Sequence, residues 1–127
     1  GDTDILAMGS GYAWLYLNDG AGDYLLSWIS PESTTYYQGA LDDIDGDGDL
    51  DIILPSDIQQ VSIYLYQAGD FVPISHNYLG KGQAVDVFDF DNDGQNDVVF
   101  TKYENSSATT TKKNTCTTYI ASLSCQE

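Results

Sequence analysis

Short apolar runs broken by Gly, Asn, Asp and Pro recur along most of the chain. WLYL (14–17) and SIYLY (62–66) alternate aromatic with aliphatic side chains, the two-residue period of an extended strand held between neighbours. Around them stand ILAMGSG (5–11), YLLSWIS (24–30), GALDDID (39–45), IILPSD (52–57), FVPISHNYL (71–79) and QAVDVFDFD (83–91), each short and each bounded by turn formers. LNDGAGD (17–23) and YQAGD (66–70) fill equivalent hairpin turns. The pattern predicts an all-β chain of antiparallel strands.

The pattern also repeats. ALDDIDGDGDLDIIL (40–54) places Asp43, Asp45, Asp47, Asp49 and Asp51 at alternate positions, and AVDVFDFDNDGQNDVVF (84–100) places Asp89, Asp91, Asp93 and Asp97 in a matching frame. Counted from the first carboxylate, both stretches carry Asp at positions 1, 3, 5 and 9 and Gly at position 6, with an apolar strand after the ninth. The ninth positions, Asp51 and Asp97, lie 46 residues apart, and a similar step back reaches Asp4 in GDTDILAM. Asp2 and Asp4 therefore read as the second half of a third loop. Three copies at one period, the first loop incomplete, mark an internal repeat of about two blades over residues 1–103, and each unit offers four strands: ILAMGSG, AWLYL, YLLSWIS and the return GALDDID in the first. Four antiparallel strands in roughly 40 to 50 residues make one β-propeller blade.

Five carboxylates within nine residues repel one another and bury nothing, so a cation is the natural partner. Zinc and copper prefer His and Cys. Oxygen donors alone favour a hard cation with flexible coordination, which is calcium. Gly48 and Gly94 let the chain turn sharply around it. An EF-hand loop starts the same way, but it needs Glu at its twelfth position, where this chain has Leu54, and a helix on each side, where this chain has short apolar strands.

YYQGALDDIDGDGDLDIILPS (36–56) and GQAVDVFDFDNDGQNDVVFTK (82–102) resemble repeats of the FG-GAP or VCBS type, found in the integrin alpha-subunit propeller and in many secreted bacterial and algal proteins. The resemblance covers residues 1–103, with YQGA (37–40) and KGQA (81–84) as degenerate forms of the family signature. It implies calcium held by Asp43, Asp45, Asp47 and Asp51 and by Asp89, Asp91, Asp93 and Asp97. The backbone carbonyls of Asp49 and Gln95 are the implied seventh-position ligands. The family's rings commonly have seven blades. Such a ring needs roughly 300 residues or more, so a chain of 127 residues that opens inside a loop without Met is expected to be a piece of a longer protein or a subunit of an assembly.

Composition narrows the partners. Twenty acidic side chains face four Lys and no Arg, for a net charge of -16, which argues against nucleic acid and anionic membrane surfaces. No apolar run approaches the length of a membrane span, so no membrane insertion is expected. Residues 104–127 change character to Thr, Ser and Asn. Asn105 opens an N-glycosylation sequon there. Cys116 and Cys125 bracket TTYIASLS; a disulfide is the expectation in an extracellular chain, with reduced structural cysteines as the alternative. TTYIASLS reads as a final strand that covers an open edge or joins a neighbouring subunit.

Catalytic signals are thin. His76 is the single histidine and sits in a strand or turn setting, and GSGYAW leads into a strand rather than the helix that a phosphate loop requires. Trp14, Trp28 and the ten Tyr suit either glycan stacking or packing between blades, and their alternating strand positions favour packing. Carboxylates committed to a cation make poor general acids, so no enzyme is expected. The sequence thus points to a calcium-stabilised extracellular structural or adhesion module that associates with itself, as ring or filament, or with further repeats. A lectin-like propeller fragment that binds glycans and an accessory domain of a secreted hydrolase are the other readings.

Overall fold

The computed structural model describes residues 3–57, 61–74, 81–103, 116–119 and 123–124, and the side-chain surroundings of 3–57, 61–74 and 84–99. Alternation along the chain becomes strands throughout: β1 (Ile5–Met8), β2 (Ser10–Gly11), β3 (Ala13–Asn18), β4 (Tyr24–Ile29), β5 (Thr34–Thr35), β6 (Ala40–Asp42), β7 (Asp51–Pro55), β8 (Val61–Gln67), β9 (Asp70–Ile74), β10 (Lys81–Phe88), β11 (Asp97–Tyr103), β12 (Cys116–Tyr119) and β13 (Leu123–Ser124). Among the described residues every strand pairing is antiparallel and no helix forms. The fold is all-β and propeller-like.

Three sheets act as consecutive blades: β1-β3-β4, then β6-β7-β8-β9, then β10-β11-β12-β13. The return strand GALDDID, which the repeat arithmetic groups with the first unit, contributes β6 and opens the second sheet instead. Its register explains why: the Asp-rich loop is a short connection, so Ala40, Leu41 and Asp42 pair directly with Ile53, Ile52 and Asp51. A two-stranded ribbon, Ser10–Gly11 against Thr34–Thr35, lies beside the first sheet and has no counterpart in the sequence reading.

Strand β7 is buried from end to end and separates the two cores. Its two-residue period sends Ile52 and Leu54 to one side and Ile53 to the other. Ile52, Leu54 and Tyr64 pack with Ala13, Leu15, Leu6, Met8 and Trp28 of the first blade. Ile53, Ile63 and Leu65 pack with Val85 and Val98 of the third. Each such aliphatic side chain contributes about 1.5–3 kcal/mol on full burial. Trp28 seals the first junction, its ring 4.9 Å from Tyr64 at an edge-on angle of 63° and 5.8 Å from Phe71. Burial, with Glu32 and Tyr36 nearby, pushes the Tyr64 hydroxyl up to about 12, so this side chain stays neutral in the junction.

Gly39 lets the blades meet this closely. A Cβ there would stand 2.8 Å from Met8 Sδ and 2.9 Å from Leu6 Cδ2. On the far side of the first blade the register brings Ile5, Tyr16 and Leu26 into one row, with Ile29 beside Trp14. Ile5, Leu26 and Ile29 are 43%, 49% and 47% exposed. This apolar face stands at the register positions that Ile52 and Tyr64 occupy in the second blade.

Candidate metal centres

Two loops of nine residues connect the first pair of strands in the second and third blades. In the first, Asp43 organises the turn: Oδ1 accepts from the amides of Gly46 (2.8 Å) and Asp47 (3.1 Å), and Oδ2 from Gly48 (2.9 Å). Asp45 Oδ1 accepts from the Asp47 amide (3.2 Å), and Asp47 Oδ1 from the Asp49 amide (2.9 Å). The second loop copies this scheme. Asp89 accepts from Asp93 (3.0 Å) and Gly94 (2.9 Å), Asp91 from Asp93 (3.1 Å), and Asp93 from Gln95 (2.8 Å). Short acidic side chains that bond to amides two to five residues on build such turns without help from neighbours.

Backbone conformation accounts for the glycines. Gly48 and Gly94, with φ of 94° and 92°, occupy a region that a side chain resists. Gly46 lies at φ 80°, and its counterpart Asn92 at φ 59°, a left-handed position that Asn tolerates.

The ninth residues do more than the sequence reading assigns. Asp51 is fully buried; Oδ2 accepts from the Ile44 amide (2.8 Å) and Oδ1 from the Tyr66 amide (2.9 Å). It clamps the loop to β8, the third strand of its sheet. Asp4 makes the corresponding bond in the first blade, to the Asn18 amide (2.9 Å). Asp97 is also fully buried and accepts from the Phe90 amide (2.8 Å) through Oδ2, but among the described residues its Oδ1 has no hydrogen-bond partner.

Carboxylate oxygens of Asp43, Asp45 and Asp51 lie within 4.8 Å of one another, as do those of Asp89, Asp91 and Asp93. Asp47 and Asp97 fall outside these sets, and the side chains of Asp49 and Gln95 are exposed while their amides brace the loops. Oxygens that each stand about 2.3–2.6 Å from a shared calcium-sized ion span at most about 5 Å, so both clusters suit a hard cation in size and donor type. Among the described residues Asp97 Oδ1 is buried without a partner, and a carboxylate oxygen so removed from water is expensive until a cation or donor meets it.

Electrostatics agrees. Desolvation within the loop, then the charges of Asp47 and Asp43, hold Asp45 above its ordinary 3.8. Asp91 rises for the same reasons, with Asp93, Asp97 and Asp89 as its neighbours. Burial also raises Asp51, although the Ile44 and Tyr66 amides pull the other way. Protons and cations compete for these sites.

One residue joins the two loops. Asn96, at the eighth position of the second loop, donates from Nδ2 to the Asp43 carbonyl (3.0 Å) and to Asp42 Oδ1 (3.3 Å). Sequence reasoning missed it, since nothing local marks a partner more than fifty residues away. Its counterpart in the first loop, Leu50, is 45% exposed. Asp2, Asn105, Cys125 and the side chain of Cys116 lie outside the described residues.

No helix among the described residues is long and apolar enough to cross a membrane. No curated protein matches the chain. The family of FG-GAP-like repeats matches twice, over residues 1–54 and 43–100, and the two matches meet in the first carboxylate loop. The chain accordingly belongs to the family of FG-GAP-like repeats.

Proposed function

We propose that the chain is a calcium-stabilised, extracellular structural or adhesion module that works in assembly with further blades. The observation that carries this reading is the duplicated loop: two clusters of three carboxylates, built by the same hydrogen bonds, connect the first two strands of successive blades. When bound, calcium supplies the positive charge that such clusters lack. The chain's own residues do the rest. Asp43 and Asp89 shape the turns, and Asp51 transmits loop order to the third strand through the Tyr66 amide. The loops thereby tie strand pairing to the calcium concentration.

Extracellular modules bind calcium in roughly the 10⁻⁴–10⁻³ M range, where such a dependence is satisfied permanently. The apolar face of Ile5, Leu26 and Ile29 supports association, since the equivalent face of the second blade is covered by its neighbour. A second copy or another part of a longer chain is the proposed cover, and no catalytic role is assigned.

Sedimentation velocity and thermal unfolding, each in calcium and then in chelator, test the proposal. Expected are an associated species and a raised melting temperature in calcium, both lost on chelation. A monomer whose melting ignores calcium overturns the reading.

A further inference from the structure

We infer that Asn96 is a positioning residue that couples the two carboxylate loops, so that a cation in one raises the affinity of the other; this rests on the calcium reading above. The contact is specific. Asn96 grips the carbonyl of Asp43, the same residue whose carboxylate accepts three amides and founds the first loop, and it reaches Asp42 at the end of β6 as well. Its own loop holds it firmly, because the next residue is buried Asp97, fixed to the Phe90 amide. On the receiving side, Ile44 follows Asp43 directly and is fixed by Asp51. A path of hydrogen bonds and single peptide links therefore runs from the cluster of Asp89, Asp91 and Asp93, through Gln95 and Asn96, to that of Asp43, Asp45 and Asp51.

The repeat itself does not demand this link. Position eight of the first loop is Leu50, which has no donor to offer. A second bond, from the Val85 amide to Gln38 Oε1 (3.2 Å), ties the approach to β6 to the middle of β10.

The sign follows from ordering. Filling one loop fixes its backbone and, through Asn96, part of the other, so the second ion meets a loop that has less freedom left to lose. Electrostatics opposes this, because neutralising one cluster weakens the field at the other. Salt screens that opposition over about 8 Å at physiological ionic strength, whereas hydrogen bonds are unaffected.

Calorimetric titration of the full chain with calcium, at physiological salt, measures the coupling. Asp91→Ala leaves the first loop alone and Asp45→Ala the second; the overall constant for two ions in the parent chain, divided by the product of these two constants, is the coupling factor. The expected factor is roughly 2- to 10-fold, the net worth of one or two hydrogen bonds, and it falls to about 1 in Asn96→Ala with both loops still binding. Independent binding in the parent, or a factor that survives in Asn96→Ala, overturns the inference while leaving the calcium reading intact. Absence of any calcium binding overturns both. Should Asn96→Ala fail to fold, Asp42→Ala removes one of the two acceptors, and the factor must then drop part-way; an unchanged factor refutes the link.

Discussion

The two carboxylate loops share one nine-residue pattern and nearly identical internal hydrogen bonds, yet they end differently. Asp51 spends both oxygens on backbone amides, one in its own loop and one on β8. Asp97 satisfies one oxygen and buries the other without a donor among the described residues. The first loop is therefore fastened to its sheet by two bonds from its ninth residue, and the second by one among the described residues. A ligand motif sets the charge of a site, while the strand behind it sets how much of the site exists beforehand.

Chelation should produce the largest effect. A site held at about 100 times its dissociation constant contributes about 2.7 kcal/mol, so stripping both loops should lower the melting temperature sharply. Amide exchange should quicken more in residues 89–97 than in 43–51. Equal quickening would break the comparison.

Substitution of the ninth residues comes next, in chelator. Asp51→Ala strands the buried amide of Ile44 and the half-buried one of Tyr66 and should cost about 2–4 kcal/mol in urea unfolding. Asp97→Ala strands the Phe90 amide alone and removes an oxygen that was unpartnered among the described residues, so about 1 kcal/mol or less is expected. A larger loss at Asp97 would reverse the assignment of which loop is the more firmly fastened.

A pH series should give a smaller shift. Asp45, Asp51 and Asp91 hold their protons more tightly folded than unfolded, so the ion-free protein binds more protons than its unfolded chain just above 3.8. That contribution is complete below 3.8 and is lost as pH rises through the elevated values. Melting temperature in chelator should therefore fall with rising pH in this range, and calcium should abolish or invert the slope. A chelated protein that gains stability over the same interval would contradict the crowding of these carboxylates. Leu50→Asn, which gives the first loop the residue of the second, should change stability by no more than about 0.5 kcal/mol, since Leu50 is half exposed.

Much of this architecture was legible in the sequence because alternation and spacing are one-dimensional signals. WLYL and SIYLY became β3 and β8, the turn residues fell between strands, and Trp28 packed between blades as the alternating aromatics suggested. The carboxylate clusters were legible for the same reason, as positions one and three of each loop stand together in space. Other features depend on contacts that no local pattern carries. Asp51 reads as a ligand, and its clamp on Tyr66 is invisible because both roles ask for the same carboxylate. Asn96 owes its role to a carbonyl in another repeat. The ribbon of β2 and β5 is two residues long on each side, too short to show alternation.

The repeat in the sequence and the sheet in space are out of phase, since β6 follows the first blade in the chain but belongs to the second. A cut in the first carboxylate loop would leave the upstream piece carrying a strand that fits only the downstream piece. Such halves are complementary fragments, able to find each other by strand donation. Blades joined in this way resemble overlapped planks more than stacked bricks, and a break at the seam between repeats still leaves each piece cut to fit the other.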